Sequence, residues 1–361
     1  MMNLSFLIFI FFFTALLMAW GFKQLPREQW QFFAAVPVVK QKDGTWKGMN
    51  LTYYGIFSAN AYIFALAVLV ILLGACSIPA VVQMKYIIPL LGAAVPAARI
   101  VAWMVEKKSS GFTVGGASFV AIILLPWVVA GVNLISSFQM PVFCFFAAVA
   151  LAYSFGEGLG RLACISFGCC YGKSLANSSR WIKWIFSKYH FIFQGKTKKI
   201  AYASCLDNQP IIPVQAVTAV IYTVTGLIGT ALFLYGHFKM SLGVTLVITQ
   251  LWRVFSEFFR DDFRGGRAFS AYQIMALVGV AYMGAVILIM SGPVPEMSGV
   301  LTSGELQPSA RIPDVITGVR ILWQPGVVLF LQMVWVIIFL YTGRSSVTGS
   351  TLLFHVVKEK I

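Results

Sequence analysis

Hydrophobic positions along this chain fall into long runs separated by shorter polar segments. A run of roughly 17–25 mainly apolar residues is long enough to cross the hydrocarbon core of a bilayer. The sequence contains such runs at about Leu4–Trp20, Leu51–Leu73, Ile87–Met104, Phe112–Leu134, Pro141–Gly158, Pro213–Tyr235, Leu242–Phe259, Tyr272–Met290 and Trp323–Tyr341. The pattern therefore predicts an all-α polytopic membrane protein with eight or nine spanning helices.

The composition supports a membrane protein and excludes a soluble domain. Of the 361 residues, 59% are hydrophobic and only 11% are charged, and the mean hydropathy is +0.83. The first run is short enough to be a cleaved signal peptide. Its preceding residues, MMNLS, carry no Lys or Arg and no clear cleavage site follows the run, so we expect a retained helix.

The order of apolar and polar segments divides the chain into three parts. Residues 1–49 contain the first run and a basic loop, and residues 50–291 form a membrane core. Residues 292–361 contain a polar insertion, the last run and a tail. We expect the last helix to be an addition to the core bundle.

Positive charge is concentrated on one side of the predicted bundle. Lys and Arg residues in the connecting segments are distributed 21 to 4 between the two sides, and the formal net charge is +15. The positive-inside rule places the basic face in the cytoplasm. This face could bind anionic lipid headgroups, or the bias could record only the direction of insertion.

The segment Gly156–Lys173, GEGLGRLACISFGCCYGK, carries a carboxylate, an arginine and three cysteines at the end of an apolar run. An ionisable side chain at membrane depth costs at least about 2–3 kcal/mol. Glu157 and Arg161 should therefore face a partner, a cavity or a lipid headgroup. A structural ion pair that locks two helices is the alternative.

A second apolar run ends in LWRVFSEFFRDDFRGGR and places charges on one helical face. Arg253 and Glu257 are four residues apart, and Arg260 follows three residues later. We expect Glu257 to pair with Arg253 and to leave Arg260 free for an anion. Arg99 lies near the end of the third run, and with Arg161 these arginines have donors that suit a phosphodiester.

The remaining sequence features limit the chemistry. The C-x4-C-C spacing is not that of a zinc ribbon or a ferredoxin, so no metal and no other cofactor is predicted. Common hydrolase, nucleotide-binding and metalloprotease motifs are absent from the sequence, no histidine base is evident, and no nucleic-acid partner is expected. Cys169 and Cys170 leave a thiol redox protein as a further possibility, although vicinal cysteines form strained disulfides.

Six short motifs together resemble the prolipoprotein diacylglyceryl transferases. In chain order they are Tyr-Gly at the start of the second run, AAR, SGFTVGG, GRxxxxxxGxxYG, PxQ and RxxxEFFR. The similarity covers about residues 50–290. The segment GRLACISFGCCYGK is similar to a divergent, cysteine-rich branch of that family.

This resemblance implies a bundle of about seven core helices around a central lipid cavity, with extra helices at both ends, in the bacterial cytoplasmic membrane. It implies transfer of a diacylglyceryl group from phosphatidylglycerol, or another anionic phospholipid, to the lipobox cysteine of a prolipoprotein or to another acceptor. Arg161, Arg253 and Glu257 match positions expected to be catalytic. The residues that match lipid-binding positions are Tyr54, Arg99, Gly115, Gly116, Gly172, Gln215 and Arg260.

The chain departs from the family pattern at several positions. Cys164 replaces an asparagine and Cys169 a glutamate, and Val114 and Ile212 replace two histidines that are common base candidates. Cys164 or Cys169 could supply a catalytic thiolate beside Arg161, or either could be a small packing residue. The alternative function is a non-catalytic lipid-binding or lipid-moving protein that retains the headgroup site.

The membrane orientation stays open at this point. The family's site opens to the exoplasmic side, whereas the charge bias places the basic face of this chain inside. Either the lipid-binding loops override the usual bias, or this protein works from the cytoplasmic leaflet.

Overall fold

The computed structural model describes residues 2–42, 46–106, 114–262, 269–291, 312–345 and 351–352. The helices in these ranges are α1 (Met2–Gln24), α2 (Tyr53–Ala75), α3 (Ala80–Glu106), α4 (Val114–Ile135), α5 (Val142–Phe167), α6 (Arg180–Phe186), α7 (Lys199–Ser204), α8 (Val214–Leu234), α9 (Phe238–Ser256), α10 (Ala271–Ser291), α11 (Val315–Leu322) and α12 (Pro325–Thr342). All except α6, α7 and α11 are long and apolar enough to span a membrane. Each of these nine helices corresponds to one predicted run, so the prediction of an all-α polytopic membrane protein is confirmed.

Helix α5 lies at the centre of the bundle. It packs against α2, α8 and α9, while α3 packs against α4 and α10 packs against α4 and α9. The side chains of Phe145, Phe146, Leu151 and Phe155 on α5 are fully buried. Polar groups on α5 are therefore surrounded by protein on most sides.

The segments that carry most of the Lys and Arg residues meet at one end of the bundle, which we call the basic end. There the Thr52 N–H donates to the Gly343 carbonyl and the Lys173 N–H donates to the Phe259 carbonyl, both at 2.9 Å. At the opposite end the Asp314 N–H donates to the Ala75 carbonyl at 2.9 Å. The alternation of the helices thus separates the connecting segments as the charge pattern predicted.

A small β-sheet at the basic end was not predicted. The strands of the described residues are β1 (Phe32–Lys40), β2 (Trp46–Thr52), β3 (Phe191–Ile192), β4 (Pro210–Ile211), β5 (Arg344–Ser345) and β6 (Thr351–Leu352). Strands β1 and β2 form an antiparallel hairpin, and β5 and β6 pair with β2. The signal in the sequence was a β-branched run before Asp43-Gly44, which is a common turn dipeptide between paired strands.

The helices at the two ends of the chain pack against the core bundle. Helix α1 packs against α5 and α8 through side chains that include Ile10 and Met18, and α11 and α12 pack against α2. Glycines allow the contact with α11: a Cβ on Gly74 would lie 2.7 Å from the Cα of Gly318. The division at 1–49, 50–291 and 292–361 stays a prediction.

Candidate phosphate and thiol site

A buried ionic cluster lies inside the bundle between α5 and α9. Glu157 forms an ion pair with Arg161, one turn further along α5, and its Oε1 lies 3.5 Å from Nη2 of Arg253 on α9. The three side chains are only 5%, 12% and 11% exposed, respectively. Together they carry a net charge of +1, and we call them the arginine cluster.

The arginine cluster lies in the half of the bundle nearer the basic end. At a rise of 1.5 Å per residue, Arg161 is about 9 Å before the end of α5 at Phe167. Arg253 is at a similar depth, because the helical segment that begins with α9 continues as a 3-10 turn to Phe259. The cluster is therefore about six residues of helix from the basic end on both α5 and the α9 segment.

Neighbouring helices hold Arg253 in place through hydroxyl groups. Its Nη1 donates to the Ser118 hydroxyl of α4 and to the Tyr153 hydroxyl of α5, both at 3.0 Å. Ser118 in turn donates to the Gly115 carbonyl at 3.0 Å, and the Tyr153 oxygen is 3.5 Å from that of Tyr222 on α8. Helices α4 and α5 therefore bond this guanidinium directly, and α8 joins the network through Tyr222.

The structure corrects two expectations about the charged residues near the end of α9. Among the described residues, the ion-pair partner of Arg253 is Glu157 rather than Glu257. Helix α9 ends at Ser256, and a 3-10 turn starts at Glu257. Arg260 is not left free for an anion, because its Nε and Nη2 bond both carboxylate oxygens of Asp262 at 2.7 and 2.8 Å.

A turn at the end of α5 brings three cysteines together. Gly168 adopts a left-handed conformation with φ of 70°, and its N–H donates to the Ile165 carbonyl at 3.2 Å. The Cys169 N–H donates to the Cys164 carbonyl at 3.0 Å, which completes a Schellman motif. The Sγ atoms of Cys164, Cys169 and Cys170 lie within 4.8 Å of one another, and we call these residues the thiol cluster.

Two residues predicted to bind lipid, Tyr54 and Gln215, lie at the thiol cluster. The Tyr54 ring of α2 packs edge-on against Phe167, with centroids 5.7 Å apart, and the residue interacts electrostatically with all three thiols. The Gln215 side chain donates from Nε2 to the Cys169 carbonyl at 3.0 Å. Its buried Oε1 has no hydrogen-bond partner among the described residues.

Three positive side chains interact electrostatically with the thiol cluster. Arg161 interacts electrostatically with Cys164, Lys199 with Cys169 and Cys170, and Arg260 with Cys170. Cys169 is buried, while Cys164 and Cys170 are half-buried.

The thiol groups also influence one another. The adjacent thiols, together with burial, raise the pKa of Cys169 well above its usual value. The cluster alone therefore does not favour the thiolate base that the sequence suggested at this residue.

A buried lysine ties the basic loop to the end of α5. Lys198 donates from Nζ to the carbonyls of Ser166 and Leu25, at 2.6 and 3.1 Å. Burial lowers the pKa of Lys198 to about 7, and the negative charge of Glu28 opposes this shift. The lysine thus connects the segment that follows the thiol cluster with the end of α1.

Three glycines were predicted to bind lipid, and the structure shows how each is packed within the protein. Gly172 forms an isolated β-bridge with Arg260, and a Cβ at Gly172 would collide with the Ile212 carbonyl. Close packing therefore explains this glycine. Gly115 and Gly116 are buried at the start of α4, near Ser118 of the Arg253 hydrogen-bond network.

Arg99 differs from the arginine cluster in its surroundings. It is exposed on α3 and lines a lateral groove of about 530 Å³ together with Trp103 and Tyr341 of α12. Neither this groove nor a depression of about 330 Å³ at the opposite end is lined by Arg161 or Arg253. The central lipid cavity stays a prediction.

The sequence interpretation did not include Tyr153, Ser118 or Cys170 among the site residues. Tyr153, Glu157 and Arg161 recur at intervals of four residues, so the helical period could have placed all three on one face. Cys170 had been considered only with Cys169 as a possible redox pair, and Ser118 gave no signal, because its position depends on contacts between helices.

No model of a known protein family matches this chain, and no curated protein matches it. The resemblance in the six motifs stays an interpretation of the sequence.

Proposed function

We propose that this multi-pass membrane protein is a phospholipid-dependent transferase of the bacterial cytoplasmic membrane. It takes a diacylglyceryl group from phosphatidylglycerol, or a related anionic phospholipid, and transfers it to the cysteine thiol of a prolipoprotein or of another acceptor. The observation that carries this proposal is the arginine cluster, in which Arg161 and Arg253 from two helices share the single carboxylate of Glu157.

The arginine cluster has the charge and the donors that a lipid phosphodiester needs. Its net positive charge would be neutralised by one phosphate, and a charge-assisted contact is stronger in a water-excluded site than in water. Nε of Arg161 is buried and has no hydrogen-bond partner among the described residues. It is therefore a donor that a phosphate oxygen could use.

The proposed reaction is a displacement at the glyceryl carbon that carries the phosphate ester. The acceptor thiolate forms a C–S bond with this carbon, the C–O bond to phosphate breaks, and glycerol phosphate leaves. Arg161 and Arg253 would stabilise the negative charge that collects on the departing phosphate. Cys164 follows Arg161 by one helical turn, so the thiol cluster lies between the arginine cluster and the basic end.

A non-catalytic lipid-binding or lipid-moving protein is the second candidate. Val114 and Ile212 occupy the positions of the family's histidines, and the raised pKa of Cys169 disfavours a free thiolate there. Such a protein would bind the headgroup at the arginine cluster and release the lipid intact.

Transfer of label tests the proposed reaction. The purified protein is incubated with phosphatidylglycerol labelled in its diacylglyceryl part and with a lipobox peptide. Wild type and Arg180→Ala, which changes an exposed arginine at the basic end, should form labelled peptide, whereas Arg161→Ala should not. Labelled lipid that remains bound and unconverted in the wild type would favour the lipid-binding protein, and equal transfer by Arg161→Ala would contradict the assigned donor site.

A further inference from the structure

We propose that Cys164, Cys169 and Cys170 bind a thiophilic divalent metal ion of the Zn²⁺ type. Thiolate ligands select soft and borderline metals over Mg²⁺ or Ca²⁺. The spacing in the sequence predicted no metal, because C-x4-C-C matches no common zinc motif. In the fold, however, the three Sγ atoms lie within 4.8 Å of one another.

The distances suit an ion with three sulfur ligands. Zn–S bonds of about 2.3 Å place the sulfurs of a trigonal or tetrahedral site about 4 Å apart. The Sγ atoms of the thiol cluster, which lie within 4.8 Å of one another, are close to this spacing.

The backbone that carries the ligands is fixed by its own hydrogen bonds. The Schellman turn at Gly168 sets the position of Cys169 relative to Cys164, and Gln215 bonds the Cys169 carbonyl. Residues that hold the ligands of a metal site in place usually increase its affinity. The thiol cluster thus has a supporting layer as well as three ligands.

The charges around the cluster also match a metal–thiolate group. Three thiolates and one divalent ion carry a net charge of −1. Arg161, Lys199 and Arg260 interact electrostatically with one or more of the thiols and would offset this charge. A disulfide between Cys169 and Cys170 would instead join vicinal residues, which strains the bond.

Three protein ligands leave one position for an outside group. An acceptor thiol bound there would lose its proton to solvent, because a coordinating thiol is deprotonated by the ion. This role rests on the proposed function, in which the bound acceptor thiolate attacks the glyceryl carbon while glycerol phosphate leaves. The metal ion would take the place of the two histidine bases that the family has where this chain has Val114 and Ile212. The oxidation state of the ion would not change.

Cobalt titration of the full-length protein tests the site. The protein is purified in detergent with reductant, freed of metal by a chelator and titrated with Co²⁺. We expect one Co²⁺ per chain, with sulfur-to-cobalt charge-transfer bands that Zn²⁺ abolishes. Cys205→Ser, which alters an exposed cysteine, should titrate like wild type, and Cys164→Ser and Cys170→Ser should each weaken binding by roughly tenfold or more.

The wild-type titration decides the question even if a variant fails to fold. The absence of charge-transfer bands in folded wild type would overturn the metal site, and so would unchanged bands in folded Cys164→Ser. In a second titration, a lipobox peptide should shift the visible bands of the Co²⁺-loaded protein, and the same peptide with serine should not. If the peptide causes no shift, the acceptor role of the metal is wrong but the metal site stands. If wild type binds Co²⁺ but forms no labelled peptide in the transfer assay, the proposed function is wrong but the metal site stands.

Discussion

Glu157 is the carboxylate that Arg161 and Arg253 share inside the bundle. Removing one partner of a buried ionic group leaves an uncompensated charge, whereas removing opposite charges together avoids this penalty. Without Glu157, two guanidinium groups would lie close together with little access to water. The stability of the arginine cluster therefore depends on this residue more than on either arginine.

We expect Glu157→Gln to lower the free energy of unfolding by about 3–5 kcal/mol, because it breaks a buried ionic group. Adding Arg161→Met should recover part of the loss, since only one buried cation then remains. Equilibrium unfolding in mixed micelles measures both variants and the Arg161→Met single variant, which completes a double-mutant cycle. Equal stability of Glu157→Gln and wild type would show that the cluster is not buried as described.

Lys198 gives the basic loop a pH-dependent stability. Burial lowers its pKa to about 7 in the folded protein, against an ordinary value of 10.5. Between these values the unfolded chain holds the proton and the folded chain does not, so stability should increase as the pH rises from about 7 to about 10. Thermal unfolding at pH 6.5 and pH 9 should show this increase in wild type and a smaller increase in Lys198→Met. The same increase in both proteins would contradict the assignment to Lys198.

For single residues, the sequence indicated which charged side chains lie inside the bundle better than it indicated their ion-pair partners. Arg161 and Arg253 stand out because a charge in an apolar run is rare. The pairing of Arg253 with Glu257 followed from helical spacing and is wrong, because the ion-pair partner of Arg253 among the described residues is Glu157 of another helix. Helical spacing alone does not show which residues of other helices lie nearby.

Among the elements, α11 depends on a close contact with α2. A Cβ on Gly318 would collide with the Ile71 carbonyl, and the neighbouring contact is between Gly318 and Gly74. Backbone atoms cannot move aside as a flexible side chain can. The glycine is therefore required for α11 to pack in this position.

We expect Gly318→Ala to displace α11 and to lower the thermal stability of the protein. Gly326→Ala on α12 is a matched control, because a Cβ there meets no atom within 4 Å. Hydrogen exchange should show faster exchange in α11 of Gly318→Ala and no change in the control. Unchanged protection of α11 in Gly318→Ala would be inconsistent with the described contact.

The elements could be predicted where composition alone determines them. The run Phe112–Leu134 anticipated α4, and the other spanning helices were found in the same way, because burial in lipid requires continuous apolar sequence. The β1–β2 hairpin was missed because β1, although largely apolar, is too short to span a membrane, and the five Lys and Arg residues in 21–50 made the whole segment read as a basic loop. The thiol cluster was missed because Gly168 reverses the chain, which a linear spacing does not reveal.

For the whole molecule, the two ends of the bundle differ in charge and in their cysteines. The basic end carries the thiol cluster and the exposed Cys205, while Cys76 and Cys144 lie at the other end. The Cys144 thiol donates to Cys76 with the two Sγ atoms 3.0 Å apart. If the positive-inside rule holds, these two thiols face the exoplasmic side.

Diamide should join Cys76 and Cys144. The reagent accepts the two thiol hydrogens as it is reduced to the hydrazine, and a disulfide forms between the two sulfurs. Peptide mapping without reduction should find the Cys76–Cys144 link and no link from either residue to Cys205. A link between Cys205 and either residue would contradict the assignment of these cysteines to opposite ends.

Selective retention of an anionic phospholipid by the arginine cluster is the central claim, and native mass spectrometry measures it directly. The purified protein is exposed to equal amounts of phosphatidylglycerol and zwitterionic phosphatidylcholine. We predict that wild type and Arg180→Ala retain phosphatidylglycerol selectively and that Arg161→Ala and Arg253→Met lose this selectivity. Equal retention of both lipids by wild type, or unchanged selectivity in both cluster variants, would contradict the account.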